Sequence, residues 1–334
     1  MIETFQHKMA AHCETGTITA ILRHAGLDIT EPLVFGISSG IFFGYFHKMK
    51  NFTFPTFIVR SKPGQMREKL EKRTGVRFKK YYFKNSSPGQ AKLDELVQGG
   101  IPTAEQVDMF YLDYVPSWER VHINVHFMIV IGKEGSRYRI SDSYFPSIMD
   151  LEEASLIRGR FAGGTMSPHG FLFHNGFIPS SIDYRSAILK GIHKACFNML
   201  NIPIPFLGVK GIRAFARKVT EWPSFARDTE HLSHEVMKIN ILLEDQGTGG
   251  AGFRFMYATF LQQAAAILSK PELTSLSAEL MDIGDGWREL SLFAARTGKN
   301  RDLGPEQFKK LSQLLHERAD KEEHFFKKLA RVVR

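Results

Sequence analysis

Cys13, His126 and Asp142 are the residues of this 334-residue chain whose types and settings point to chemistry. From Cys13 to Gly26 the sequence CETGTITAILRHAG repeats apolar residues at Ile18, Ile21, Leu22 and Ala25. That is helical spacing, and Gly26 stands where a C-terminal cap belongs. A thiol at or just before the first helical turn lies near the positive end of the helix dipole, and the thiolate is the nucleophilic form of cysteine. A lone cysteine can equally be a small buried hydrophobe, so partners decide the matter. They come from the hairpin HFMIVIGKEGSRYRISDS. Lys133-Glu134-Gly135 has the form of a three-residue connection, a type I turn followed by a left-handed glycine, which pairs Gly132 with Ser136. Antiparallel pairing continued from there sets His126 directly opposite Asp142 on one face, with Cβ atoms roughly 4.5–5.5 Å apart. A two-residue loop would shift the pairing by one and send them to opposite faces. The expected chemistry is a triad in which Cys13 attacks a carbonyl, His126 handles its proton, and Asp142 fixes the imidazole tautomer. The bland alternative is a His–Asp hydrogen bond that only satisfies two strand residues.

The elements needed to position these groups are legible in outline. The run LVFGISSGIFFGYF over residues 33–46 reads as a buried, close-packed helix with Gly36, Gly40 and Gly44 on one face. It lacks both GxGxxG spacing and a following Lys-Ser/Thr, so it is no phosphate-binding loop. Its aromatics, Phe35, Phe42, Phe43, Tyr45 and Phe46, could line an acyl pocket or simply form core. Strands follow at 52–59, 76–84, 105–114, 122–131 and 137–143, with helices at 63–73 and 88–97. Beyond a Gly- and Pro-punctuated stretch at 159–181 the periodicity is helical, over 184–200, 210–221, 229–243, 253–268, 272–297 and 305–333. The expected architecture is α+β, with an antiparallel-sheet domain over residues 1–165 and a helical domain over 166–334.

A family resemblance rests on three stretches. HCETGTITAILRHAGLDITEPLVFGISSGIFFGYF, VDMFYLDY and the hairpin resemble the N-terminal domain of the butirosin biosynthesis protein H family, in which His-Cys-Glu opens a helix and a Glu precedes a Gly-rich apolar run. GTGGAGFRFMYATFLQQAA, from Gly247, resembles the helical domain often joined to it. The resemblance implies a papain-like cysteine-peptidase-type fold used for acyl transfer in secondary metabolism. An acyl group would pass from a carrier-protein thioester to Cys13, then to an amine or hydroxyl of a small-molecule acceptor, with Cys13, His126 and Asp142 on the triad positions. No resident cofactor is implied, since phosphopantetheine arrives on the carrier. Glu31 lies at the family's Glu position and is expected to contact the site; otherwise it is a cap before Pro32. Gln6, seven residues before Cys13, is similar to the upstream Gln of papain-like enzymes and is the side-chain candidate for an oxyanion hole beside the Cys13 N–H.

Other groups carry weaker signals. His12 and Glu14 flank Cys13 but point elsewhere on a helix. His122 and His126 share a strand face, yet two ligands without a third do not make a metal site, and none is expected. Arg254 and Tyr257 follow a glycine-rich loop at a helix start, where a pantetheine phosphate could bind or where the loop is only a linker. Cys196 reads as buried filler. With Cys13 and Cys196 the only cysteines, a disulfide framework and CxxC metal sites are excluded.

Apolar residues at 43% and charged residues at 24% indicate a globular chain with a net charge of +9. The N-terminus shows no signal-peptide pattern and no run of roughly 18 apolar residues occurs, so a cytoplasmic protein without a membrane span is expected. Between Arg60 and Lys84 basic residues far outnumber Glu68 and Glu71. Such a surface suits an acidic acyl carrier protein better than nucleic acid once the triad is considered; a solvated helix and edge strand is the plain alternative. An amidase or peptidase with the same triad, or a binding protein on a peptidase-like scaffold, remain rival readings.

Overall fold

A computed structural model describes residues 2–47 and 53–333. In chain order its elements are α1 (Cys13–His24), α2 (Glu31–Ile37), β1 (Ile41–Phe46), β2 (Thr56–Arg60), α3 (Gln65–Thr74), β3 (Arg77–Tyr81), α4 (Ser86–Gln98) and β4 (Thr103–Val107). There follow β5 (His126–Glu134), β6 (Arg137–Ser141), β7 (Met149–Glu152), α5 (Glu153–Arg160) and β8 (Leu172–Phe177). The remainder is α6 (Tyr184–Leu200), α7 (Gly208–Lys218), α8 (Thr229–Asn240), α9 (Arg254–Leu268), α10 (Glu272–Lys299) and α11 (Pro305–Val332). The fold is mixed α and β, antiparallel toward the N-terminus and helical toward the C-terminus. Among the described residues no helix is long and apolar enough to cross a membrane.

Two compact units make up the chain: Met1–Val34 with Leu70–Ile182, and Phe35–Lys69 with Asp183–Arg334. The first is built on a six-stranded sheet in the order β3-β8-β4-β5-β6-β7. Every strand pair in it is antiparallel. Helix α1 buries Ile18, Ile21 and Leu22 and lies against β5 and β4. It ends as its sequence indicates, with Gly26 at φ +90° just beyond Ala25. Behind the sheet, Leu93, Val107, Met128, Val130, Ile140, Leu156 and Leu172 form a continuous buried cluster.

The second unit holds the two-stranded sheet β1–β2 and helices α6 to α11. Its helices begin on recognisable caps: Asp183 accepts the Ser186 N–H at 2.9 Å, Asp228 accepts the His231 N–H at 2.7 Å, and Pro305 opens α11. Tyr45 of β1 stacks on Phe215, and its hydroxyl accepts the Trp222 indole N–H at 3.1 Å.

Two expectations are corrected. The run over residues 33–46 is not one helix. It turns at Ser39, which takes φ +54°, and re-emerges as β1, paired antiparallel with β2. An apolar stretch without periodicity cannot distinguish buried helix from buried strand, and the Ile-Phe-Phe content of β1 favours the strand. Gly40 is required at the corner, because a Cβ there would lie 2.3 Å from the Phe35 ring. Of the strand expected over 52–59, Phe52 lies outside the described residues, and β2 starts at Thr56.

The domain limits 1–165 and 166–334 are replaced as well. Strand β8 lies inside the Gly- and Pro-punctuated stretch at 159–181, where no strand is expected, yet it pairs with β3 on one side and β4 on the other. The first unit therefore continues to Ile182, while residues 35–69 belong with the helices. LFHNGF lacks the alternating β-branched pattern of a strand, so its partners, far away in sequence, decide its conformation.

Candidate active site

Cys13 is the first residue of α1, partly exposed, with His12 as the N-cap: the His12 ring accepts the Thr15 N–H at 3.3 Å. The segment leading into it is held by Glu31. One carboxylate oxygen accepts the Ala11 N–H at 2.9 Å; the other accepts the His12 N–H at 3.0 Å and the Thr15 hydroxyl at 2.8 Å. Burial pushes the Glu31 carboxyl up, against the hydrogen bonds from Ala11, Thr15 and His12 that favour its charge. Both its oxygens are engaged by the chain that presents Cys13, so Glu31 contacts the site by holding that segment. It is a positioning residue. A second tie is the Ala10 N–H donated to the Ser143 carbonyl at 3.0 Å. Gly16 permits it, because a Cβ there would come 2.5 Å from Ala10 Cβ and 3.2 Å from Ser143 Oγ.

His126 opens β5, and Asp142 follows the last residue of β6. They meet by a different register from the one expected. The hairpin turns on two residues, Gly135 and Ser136, with Glu134 paired to Arg137 and Gly135 at φ +59°. That loop alone would send His126 and Asp142 to opposite faces. A register shift between Val130 and Gly132 inserts one residue, after which Val130 pairs with Ile140 and Ile129 with Ser141. The bulge restores the parity. His126 and Asp142 become diagonal neighbours, and the imidazole Nε2–H donates to Asp142 Oδ2 at 2.7 Å.

Asp142 is fully buried and has two further donors, the Tyr114 hydroxyl at 2.9 Å and the Tyr144 N–H at 3.0 Å. Burial alone would raise its carboxyl, but the charge and hydrogen bond of His126, aided by Tyr144 and Tyr114, hold it below the usual carboxylate range. For His126 burial works to lower the pKa; the Asp142 charge and hydrogen bond, then a hydrogen bond and charge from Cys13, raise it well above 6.5. Burial and the Asp142 charge push the Tyr114 phenol far up, so it remains a donor. With Nε2 committed to Asp142, Nδ1 is the ring nitrogen left for Cys13. The Cys13 Sγ also lies 3.9 Å from the Val125 carbonyl. Its backbone N–H, at the helix start, has no partner among the described residues. The arrangement brings a sulfur, a proton-carrying ring, an orienting carboxylate and an open backbone donor together.

Tyr114 and His7 were not singled out in the sequence. His7 bridges the Ser141 hydroxyl at 2.8 Å and the Phe145 carbonyl at 3.0 Å, bracing the chain on both sides of Asp142. His12 and Glu14 are buried.

Several sequence candidates lie elsewhere. Gln6 is exposed and lines a cavity of about 410 Å³ together with Gly16, Ala20 and Arg23 of α1; Cys13 is not among its lining residues. Arg254 is not open to a pantetheine phosphate: it is fully buried, its guanidinium donates to both Glu322 oxygens at 2.8 and 3.1 Å and to the Gly252 carbonyl at 2.7 Å, and it stacks over Trp287. Tyr257 is fully buried in the same unit against Phe260. Cys196 is buried, and burial pushes its thiol up to about 12. His122 pairs with Asp108 rather than converging with His126, and among the described residues no group of three His, Cys, Asp or Glu gathers to hold a metal. The basic segment between Arg60 and Lys84 is split by the division at 69/70; Arg67 is buried, and Lys80 pairs with Glu71 at 2.7 Å. Exposed Arg77, Lys79 and Lys80 lie on β3, an edge strand, where lysines also discourage edge-to-edge pairing.

Comparison with known proteins gives two family matches. One, described as Butirosin biosynthesis protein H, N-terminal, covers residues 12–143, limits that enclose Cys13, His126 and Asp142. The other, described as Domain of unknown function (DUF4872), covers residues 154–329. No curated protein matches the chain. The name of the first family connects it with butirosin biosynthesis, a setting in secondary metabolism that suggests an enzyme. Residues 12–143 thus form a domain of the butirosin biosynthesis protein H N-terminal family, and the chain belongs to the family described as DUF4872 through residues 154–329.

Proposed function

We propose that the protein is a cysteine-dependent acyltransferase that moves an acyl group from an acyl-carrier-protein thioester to an amine or hydroxyl of a small-molecule acceptor. The observation that carries this reading is the single imidazole, His126, hydrogen-bonded to Asp142 at 2.7 Å and close enough to Cys13 for the thiol to help raise its pKa. In the first half-reaction Sγ, its proton already held on the His126 ring, attacks the thioester carbonyl. Negative charge builds on the carbonyl oxygen, where the Cys13 N–H can donate. Collapse breaks the carbon–sulfur bond to pantetheine, and that sulfur leaves with the proton from His126. In the second half-reaction the acceptor gives its proton to His126 as it attacks the acyl-Cys carbonyl. Cys13 leaves, and the proton taken from the acceptor stays on His126, which restores the starting state. Thioester and acyl-Cys are close in energy, so the outcome depends on whether acceptor or water reaches the second intermediate.

Phosphopantetheine enters as part of the donor, and the exposed cations of the first unit, Lys72, Arg77, Lys79 and Lys84, offer the donor's acidic carrier a complementary surface. The test is product analysis with an acyl thioester and a panel of amines and alcohols. Acylated acceptor, absent with Cys13→Ala, is expected. Free acid as the only Cys13-dependent product would make the protein a hydrolase, and no Cys13-dependent product of either kind would overturn the enzymatic reading.

A further inference from the structure

The second unit contains a cavity of about 600 Å³ that the triad does not use. Its size falls in the range of roughly 300–1,000 Å³ typical of small-molecule sites. Phe42 and Phe46 of β1, Ile58 of β2, and Phe206 and Leu207 before α7 supply its apolar lining. Phe42 and Phe46 stand four residues apart on one strand, so that lining runs for roughly 13 Å, suited to an extended chain rather than a compact ring. These side chains are not closed off by protein, since Ile58 is 39% and Phe206 is 42% exposed. An exposed apolar strip bordered by polar groups marks a binding groove.

The polar border is basic. Lys62, Lys69 and Lys194 line the cavity with Glu68 as its one carboxylate, so the net charge favours an anion. Ser61 adds an independent sign. It lines the same cavity, is 6% exposed, and its hydroxyl has no hydrogen-bond partner among the described residues. Its backbone is engaged, the N–H with the Gly40 carbonyl at 2.9 Å and the carbonyl with the Arg60 guanidinium at 3.1 Å, so the hydroxyl alone is left over. Native structures rarely leave a buried hydroxyl unpaired without a reason.

We infer that this cavity binds a long-chain fatty carboxylate, its chain along the Phe42–Phe46 strip and its carboxylate accepting from the Ser61 hydroxyl and the bordering lysines. The inference stands apart from the acyl-transfer reading, because every group it uses belongs to the second unit. Calorimetric titration of the full-length protein with dodecanoate, octanoate and 1-dodecanol, each below its aggregation limit, tests it. Dodecanoate is expected to bind saturably, one molecule per chain, and at least tenfold more tightly than octanoate, since each buried methylene is worth about fourfold. Dodecanol, which lacks the charge, is expected to bind at least tenfold more weakly than dodecanoate. Lys62→Glu combined with Lys194→Glu should weaken dodecanoate at least tenfold. Ser61→Ala should weaken it severalfold with the melting temperature unchanged, because that hydroxyl has no partner among the described residues to lose. Cys13→Ser should bind as the parent does. Absence of saturable dodecanoate binding, equal affinity for dodecanol, or affinity unchanged in both the lysine and Ser61 variants would overturn the inference.

Discussion

Within four residues of chain the first unit carries two histidine–aspartate pairs, His122 with Asp108 at 2.8 Å and His126 with Asp142 at 2.7 Å. The contact lengths are alike, but the surroundings are not. The His122 side chain is 61% exposed and stacks on Phe110 at 4.0 Å, whereas that of His126 is 11% exposed and also meets Cys13. Asp108 uses its other oxygen on the N–H groups of Phe110 and Ile123, both at 3.1 Å, which tie down a surface turn. Asp142 gathers three donors around one function, the orientation of a ring that faces a thiol. A His–Asp contact therefore marks a site only when burial intensifies its electrostatics and a third reactive group completes it.

This contrast can be tested by treating both pairs alike. His126→Ala should slow acylation of Cys13 by about 10²–10⁴, the usual worth of a positioned acid–base group, in a single-turnover assay with an acyl thioester. Asp142→Ala should cost roughly 3–5 kcal/mol of stability in denaturant unfolding, because it leaves the buried His126 charge unpaired. Asp108→Ala should cost less, about 1–3 kcal/mol, the toll of unmet backbone donors.

The pH dependence of stability should separate the pairs further. His126 is raised, so its share of stability is complete below its unfolded pKa near ~6.5 and is lost as pH rises through the folded value. Asp142 is lowered, so its share is present above ~4 and is lost as pH falls through its folded value. Thermal unfolding from about pH 6 to about pH 10 should thus show an alkaline decline that His126→Ala removes. His122→Ala is expected to have the smallest effect, acylation within about twofold and stability within ~1 kcal/mol, since the His122 side chain is largely exposed and its contact is screened by solvent.

Much of this site could be read from residue types. Helical periodicity locates α1 and α6 to α11, with α6 expected over the residues it occupies, because a packed amphipathic face imposes its period on the sequence. The turn chemistry predicts the meeting of His126 and Asp142 through a three-residue loop, whereas a two-residue loop together with a bulge achieves it, and Gly132 within the strand is the sequence sign of that bulge. Glu31 carried no spacing signal for its role, since its partners are backbone N–H groups 19 and 20 residues earlier. Tyr114 lay within VDMFYLDY without a visible partner, because Asp142 is 28 residues away in sequence and joins it only in the fold. Arg254 was misread for a related reason: its glycine-rich approach resembles an anion loop, and only the distant Glu322 reveals a buried ion pair.

The pairing of a nucleophilic sulfur with the His126–Asp142 couple is tested most directly by intact-protein mass spectrometry after brief exposure to acyl thioesters. The wild type should gain the mass of one acyl group, located on the peptide containing Cys13 and removed by hydroxylamine, and Cys13→Ser should gain none. An acyl adduct on Cys196, or equal labelling of the wild type, Cys13→Ser and His126→Ala, would contradict it.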